Sequence, residues 1–248
     1  DGNDVILAGG NDPTKLRAAA QENDIAFGGA GDDVIRGEYG RDTLHGDAGA
    51  DTLIGDNPED DAFLDANPGL FGFTDDVLFG GEGVDHLIGH GGNDKLLGGA
   101  GDDVLYGGDG DDTSVGGAGD DVFYGGDGDD YVDYSDANAG ILVDIDNSEL
   151  NSGEAQGDTY FSIEGIIGSI HADTVFGDAG RNLLRGNDGD DVIHALAGDD
   201  IVAGNSGDDY LSGDAGDDTL FGGEGADSLK GGAGDDRMFA SDGDDHLF

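Results

Sequence analysis

An all-β solenoid, a coil of short parallel strands with two nine-residue units per turn, is the fold class that this sequence predicts. Three observations carry it. Aspartate recurs every nine residues through most of the chain. An apolar residue follows two places later in nearly every unit. Glycine, 52 of 248 residues, fills the turns between them.

Numbering the unit so that the recurring aspartate is position 6, the first block has Asp33, Asp42 and Asp51, preceded irregularly by Asp4 and Asp24. The second has Asp76, Asp85, Asp94, Asp103, Asp112, Asp121 and Asp130. The third has Asp173, Asn182, Asp191, Asp200, Asp209, Asp218, Asp227, Asp236 and Asp245. Aspartate holds 20 of these 21 places, a register that chance does not keep. Position 8 is apolar from Ile35 to Leu247, with Ser114 as the polar exception, while positions 7 and 9 vary widely. One inward residue between two outward ones is the period of a three-residue strand. Position 4 is glycine in 18 of 21 units, as a turn with positive φ or close backbone approach requires. The exceptions, Glu22, Thr74 and His171, each open the first unit after an interruption, so incomplete sites are expected at those seams.

Taken in order, residues 1–56 form the first block, with a helical insertion predicted at 11–23 from Asp12 as N-cap and Pro13 in the first turn. An insertion at 57–73 follows, with a helical turn expected from Glu59 to Leu64. The second block spans 74–133. The longest break, 134–169, contains two strand-like runs, Ile141 to Ile145 and Tyr160 to Ile163. The third block occupies 170–248. Residue 1 falls inside a repeat, which reads as a fragment cut from a longer protein.

Composition narrows the function. Nine basic residues against 58 acidic ones give a formal net charge of −49, which opposes compaction and argues against nucleic acid as a partner. Such a chain is expected to stay disordered without a multivalent cation. The absence of cysteine excludes disulfides and thiolate zinc sites. No apolar run reaches the length of a membrane span. In the predicted coil, units 18 residues apart stack about 4.8 Å apart, so their position-6 carboxylates meet. Calcium, a hard cation taking 6–8 oxygen ligands, would turn that repulsion into cohesion, with loop carbonyls completing the shell. Pairing within blocks gives 14 such sites, from Asp24–Asp42 to Asp227–Asp245, and a few more if the coil continues across the interruptions. Position 5 varies among Asp102, Arg41, Val84 and Arg181, too freely for a direct ligand, so a solvating role is expected there.

Gly98-Gly99-Ala100-Gly101-Asp102-Asp103-Val104-Leu105-Tyr106 resembles the nonapeptide G-G-x-G-x-D-x-U-x of the repeats-in-toxin (RTX) proteins, the hemolysin-type calcium-binding repeats. The resemblance covers most of the chain and implies a right-handed parallel β-roll with calcium in every loop. It also implies a secreted, extracellular and in some cases cell-surface protein exported by type I secretion machinery. It maps the calcium aspartate to position 6, and Asn182 departs from it, so sites sharing Asn182 should be weaker.

Catalytic readings fare poorly. His86 and His90 lie four apart without the glutamate or helix of a zinc-protease motif. No nucleophile elbow or phosphate loop occurs. Paired carboxylates repeated throughout the chain are a metal ladder rather than one acid/base pair. The expected module is therefore non-catalytic. Its parent would be a secreted enzyme of protease or alginate-epimerase type, or a calcium-dependent adhesin or surface-layer protein. At position 9 of the second block, Ile88, Tyr106 and Tyr124 make an apolar stripe expected to receive the long insertion or a neighbouring domain.

Overall fold

A computed structural model of the chain describes residues 5–7, 15–17, 23–38, 41–56 and 74–248. The chain divides into two compact units, Asp1–Asp130 and Tyr131–Phe248. Each is a parallel β-solenoid with two facing sheets.

In the first unit one sheet stacks Val5–Leu7, Ile25–Ala30, Thr43–Ala48, Val77–Glu82, Lys95–Ala100 and Thr113–Ala118. The facing sheet stacks Lys15–Arg17, Val34–Glu38, Thr52–Asp56, His86–Gly91, Val104–Asp109 and Val122–Asp127. The second unit has the same plan. Its sheets are Tyr131–Asp133, Gly165–Ile167, Leu183–Asp188, Ile201–Ser206, Thr219–Glu224, Arg237–Asp242, and Leu142–Asp144, Thr174–Phe176, Val192–His194, Tyr210–Ala215, Ser228–Ala233, His246–Leu247. Pairing is parallel and steps by 18 residues, as in Leu87↔Leu105 and Leu105↔Phe123. The nine-residue unit thus alternates between faces, as the repeat requires.

Position 8 supplies the core. Leu44, Leu78 and Leu96 on one face and Leu53, Leu87 and Leu105 on the other have no exposed surface. Burying each leucine stabilises the coil by about 1.5–3 kcal/mol, and the contacts repeat at every turn. Ser114 is also buried, and the missing volume is made up from the opposite face. Phe123 is fully buried, and its Cζ reaches to 2.8 Å from where a Cβ on Gly116 would stand.

One expectation is overturned. Lys15–Arg17, predicted within a helix, is a strand pairing with Val34, Ile35 and Arg36. The open backbone edge of Val34–Arg36 offers hydrogen bonds that a short isolated helix cannot match, and tertiary pairing overrides local propensity. Residues 11–14 and 18–22 of that insertion, and the whole of 57–73 with its expected turn, lie outside the described residues. In the long break, Leu142–Asp144 and Thr159–Phe161 are strands within or beside the expected runs. The break also contributes a strand that was not expected, Gly165–Ile167, whose fully buried Ile166 takes the position-8 place. Two short 3-10 turns, Ser148–Leu150 and Gly153–Ala155, lie between. The buried Tyr134 hydroxyl donates to Asp158 Oδ2 at 2.6 Å and lies 2.5 Å from the Tyr160 hydroxyl. Burial holds the Tyr134 phenol well above its usual pKa.

Candidate metal centres

Each crossing from one face to the other runs through positions 1 to 6, the first three of them still paired as strand in the regular units. Positions 2 and 4 turn left-handed, as at Gly99 (φ 114°) and Gly101 (φ 131°). At Gly101 a side chain would collide with the carbonyl oxygen of Gly83, one turn earlier, so glycine is demanded by space as well as by φ. The residues outside glycine with positive φ cluster at position 2: Asp47, His90, Asn187, Leu196, Asn205, Asp214 and Ser241. Asparagine and aspartate tolerate this region; Leu196, at φ 78°, is strained.

This geometry brings the position-6 aspartates into a ladder. The amide of each donates to Oδ1 of the aspartate one turn later, as in Asp85 to Asp103 and Asp103 to Asp121, both 2.8 Å. The same bond joins Asp24–Asp42, Asp33–Asp51, Asp76–Asp94, Asp94–Asp112 and Asp112–Asp130. In the second unit it joins Asp173–Asp191, Asn182–Asp200, Asp191–Asp209, Asp200–Asp218, Asp209–Asp227, Asp218–Asp236 and Asp227–Asp245. Every pair expected within a block is therefore juxtaposed. Two further pairs close across 57–73: Asp42 to Asp76 at 2.6 Å and Asp51 to Asp85 at 2.7 Å. The ladder thus runs unbroken through the seam at Thr74, where an incomplete site was expected. The seam at Glu22 lies outside the described residues. At the His171 seam the ladder does stop, because the amide donating to Asp173 Oδ1 belongs to Ile141.

The second carboxylate oxygen has a different setting. Oδ2 of Asp33, Asp51, Asp85, Asp103, Asp112, Asp191, Asp200, Asp209, Asp218 and Asp227 is buried with no hydrogen-bond partner. Except at Asp200, whose position-1 residue is Ala195, it points at the glycine of position 1 in its own unit, into the space a Cβ there would fill. At Asp33, Asp51, Asp85, Asp103, Asp112 and Asp227 the position-1 carbonyl of the next turn faces the same space. Asp33 Oδ2 and the Gly46 carbonyl converge on Gly28 in this way, and Asp103 Oδ2 and the Gly116 carbonyl on Gly98. Burial raises these carboxyls: Asp103 and Asp191 to about 7, and Asp51, Asp112, Asp200 and Asp209 to about 6, with neighbouring carboxylates adding to the rise for each. Buried anionic oxygens converging with carbonyl oxygens fit a hard divalent cation and leave a costly deficit otherwise. Among the described residues no cluster of three His, Cys, Asp or Glu side chains could hold a metal. The oxygens that the fold brings together here are those of carboxylate pairs and backbone carbonyls.

Position 5 forms a second, outer ladder of opposite sense. Here the later amide donates to the earlier side chain, as in Asp120 to Asp102 and Asp129 to Asp111, both 3.0 Å. Asparagine serves equally, the Asp111 amide donating to Asn93 Oδ1 at 3.1 Å. Arg41 instead pairs with Asp75 at 2.9 Å on the exposed surface. Sequence reasoning set position 5 aside from direct ligation but missed this turn-to-turn bond. The enrichment of Asp and Asn was its only signal. The role of position 1 was missed too, although its glycine is nearly constant.

The histidines serve elsewhere. His45 stacks between Phe27 and Phe79, centroids 4.5 and 4.6 Å away. His86 and His90 lie on the same strand, His90 at its left-handed place. Tyr106 stacks on Tyr124 at 4.6 Å, and Tyr106 remains 37% exposed.

A family model described as RTX calcium-binding nonapeptide repeat (4 copies) matches residues 20–56, 72–105, 106–138, 167–202, 185–220, 194–229 and 212–247. No curated protein matches the chain.

Proposed function

The chain belongs to the RTX calcium-binding nonapeptide-repeat family, and from that premise we propose that the position-6 aspartates bind calcium between successive turns and that this binding folds the coil. The family supplies calcium; the chain's own residues supply the mechanism. The observation that carries it is the row of buried, partnerless Oδ2 atoms, with a loop carbonyl of the next turn facing those of Asp33, Asp51, Asp85, Asp103, Asp112 and Asp227. Asp33, Asp51, Asp85, Asp103, Asp112, Asp191, Asp200, Asp209, Asp218 and Asp227 would lend carboxylate oxygens, with position-1 carbonyls alongside. The two pairs closed across 57–73 raise the expected count above the 14 counted within blocks.

Calcium would neutralise the carboxylates that hold the chain apart at a net charge of −49. In a calcium-poor cytoplasm the module would remain extended, suited to export by type I secretion machinery. Outside, at millimolar calcium, weak sites suffice and the coil closes. The role in the parent protein is structural, serving a secreted enzyme or a surface adhesin. The partly exposed Tyr106–Tyr124 stack supports that face as the seat of a neighbouring domain. Circular dichroism tests the reading: excess chelator should abolish the β signal and calcium should restore it cooperatively. A chain equally folded in chelator would overturn it.

A further inference from the structure

Among the loops described throughout, two of the second unit are built differently. In the loops ending at Asp33 and Asp51, at Asp85 through Asp130, and at Asp191 through Asp245, positions 2 and 4 both have positive φ. In the loops ending at Asp173 and Asn182 those places are held by Ser169 and His171, and by Asp178 and Gly180, and none of the four has positive φ.

The change turns an amide inward. The Ser169 amide donates to Asp173 Oδ2 at 2.6 Å, and the Asp178 amide donates to Asn182 Oδ1 at 3.0 Å. A planar trans peptide carries N–H and C=O on opposite sides, so the position-1 carbonyl of such a loop turns away from the turn before, while the carbonyls of Gly186 and Ala195 still face Gly168 and Gly177 as in the regular loops. The Gly168 carbonyl accordingly accepts from Asn187 Nδ2 at 2.6 Å. Both side chains make further bonds within their loops. Asp173 Oδ1 accepts from the Ile141 amide at 2.8 Å and from Ser169 Oγ at 2.9 Å. Asn182 Nδ2 donates to Asp178 Oδ1 at 3.1 Å, which also accepts from the Gly180 amide at 2.7 Å. The Asp178 amide needs an acceptor, and this fixes which way the Asn182 amide faces.

We infer that loops 168–173 and 177–182 close without calcium, N–H donors standing where the other loops need a cation. They form an ion-independent start to the third repeat block, on which the turns from Asp191 onward build. The inference rests on the calcium reading of the regular loops. It is the contrast between two satisfied side chains and the partnerless Oδ2 atoms of Asp191, Asp200, Asp209, Asp218 and Asp227 that carries it.

Anomalous diffraction from crystals of the chain grown in calcium tests it directly. Calcium peaks are expected beside the Asp191 and Asp200 carboxylates and the turns after them. None is expected within ligand distance of the Asp173 or Asn182 side chains at positions 168 and 177. A peak at either place would overturn the inference, whereas absence of every peak would instead overturn the calcium reading. In solution, Asn182→Asp removes the Nδ2 donor and sets a second carboxylate against Asp178. Native mass spectrometry at fixed free calcium should count one more ion on this variant than on the unaltered chain. An unchanged count, with the other ions present, would show that the Asn182 amide does not take the cation's place.

Discussion

The amide of Asp85 donates to Oδ1 of Asp103 at 2.8 Å, while the other oxygen of the same Asp103 carboxyl is buried with no partner. The two oxygens do separable work, one joining turns and one demanding a cation. Asp103→Asn should keep the first and lose the second. It is expected to weaken calcium-dependent folding, yet to stabilise the chain in chelator by removing a buried carboxyl. Asp103→Ala, which also strands the Asp85 amide, should be worse in both conditions, by a further ~1–3 kcal/mol for the unmet donor. Thermal melts with and without calcium check this; equal melting temperatures for the two variants would contradict the division of roles.

Acid should partly replace calcium. The folded-state carboxyls of Asp103 and Asp191 are raised to about 7, and those of Asp51, Asp112, Asp200 and Asp209 to about 6, chiefly by burial. A raised folded pKa contributes stability that is complete below the unfolded value of 3.8 and is lost as pH climbs through the folded value. In chelator, β content should therefore grow as pH falls from 8 towards 5. Calcium affinity should fall over the same window, because the ligands must be deprotonated. Circular dichroism and calcium titrations at each pH test both slopes, and an ellipticity flat in chelator across that range would count against the burial of these groups.

Left-handed places give a graded series. Gly101→Ala meets both a φ of 131° and the Gly83 carbonyl, and should lower stability by more than the ~1–3 kcal/mol of φ strain alone. Leu196→Gly relieves φ 78° at an exposed position and should raise the melting temperature, with a gain of about 1 kcal/mol. Calorimetry in saturating calcium reads both, and a loss on Leu196→Gly would mean that this side chain has a packing role outweighing its strain.

Ser114 and Phe123 should be coupled. Ser114→Leu alone overfills the core that Phe123 already reaches across, at a cost of about 1–3 kcal/mol. Adding Phe123→Leu should restore most of it, making the pair of faces regular. A double-mutant cycle measures the coupling, and additive losses would show that the two side chains do not share the space.

Period and composition alone make the architecture legible: position 8 goes inside, position 6 meets its partner 18 residues on, and glycine marks the turns. Lys15–Arg17 was misread because alanines and a proline nearby favour a helix locally, while the decisive strand edge at Val34–Arg36 exists only in three dimensions. The ladder bonds across 57–73 were expected only on the condition that the coil continues there, since the sequence separation of Asp42 and Asp76 breaks the period. Asn182 was legible as a departure from the pattern. Its partnership with Asp178 was not, because it depends on the absence of a left-handed turn that the sequence Gly-Asp-Ala-Gly does not advertise.

The bond from Asp42 to Asp76 spans 34 residues and has the same form as bonds spanning 18. The stack therefore responds to where a segment re-enters, not to the path it took. This makes the stretch between Asp56 and Thr74 a natural grafting point. A foreign peptide or small domain whose termini lie close together could be spliced there and displayed from the side of the coil, with the rungs above and below left in register.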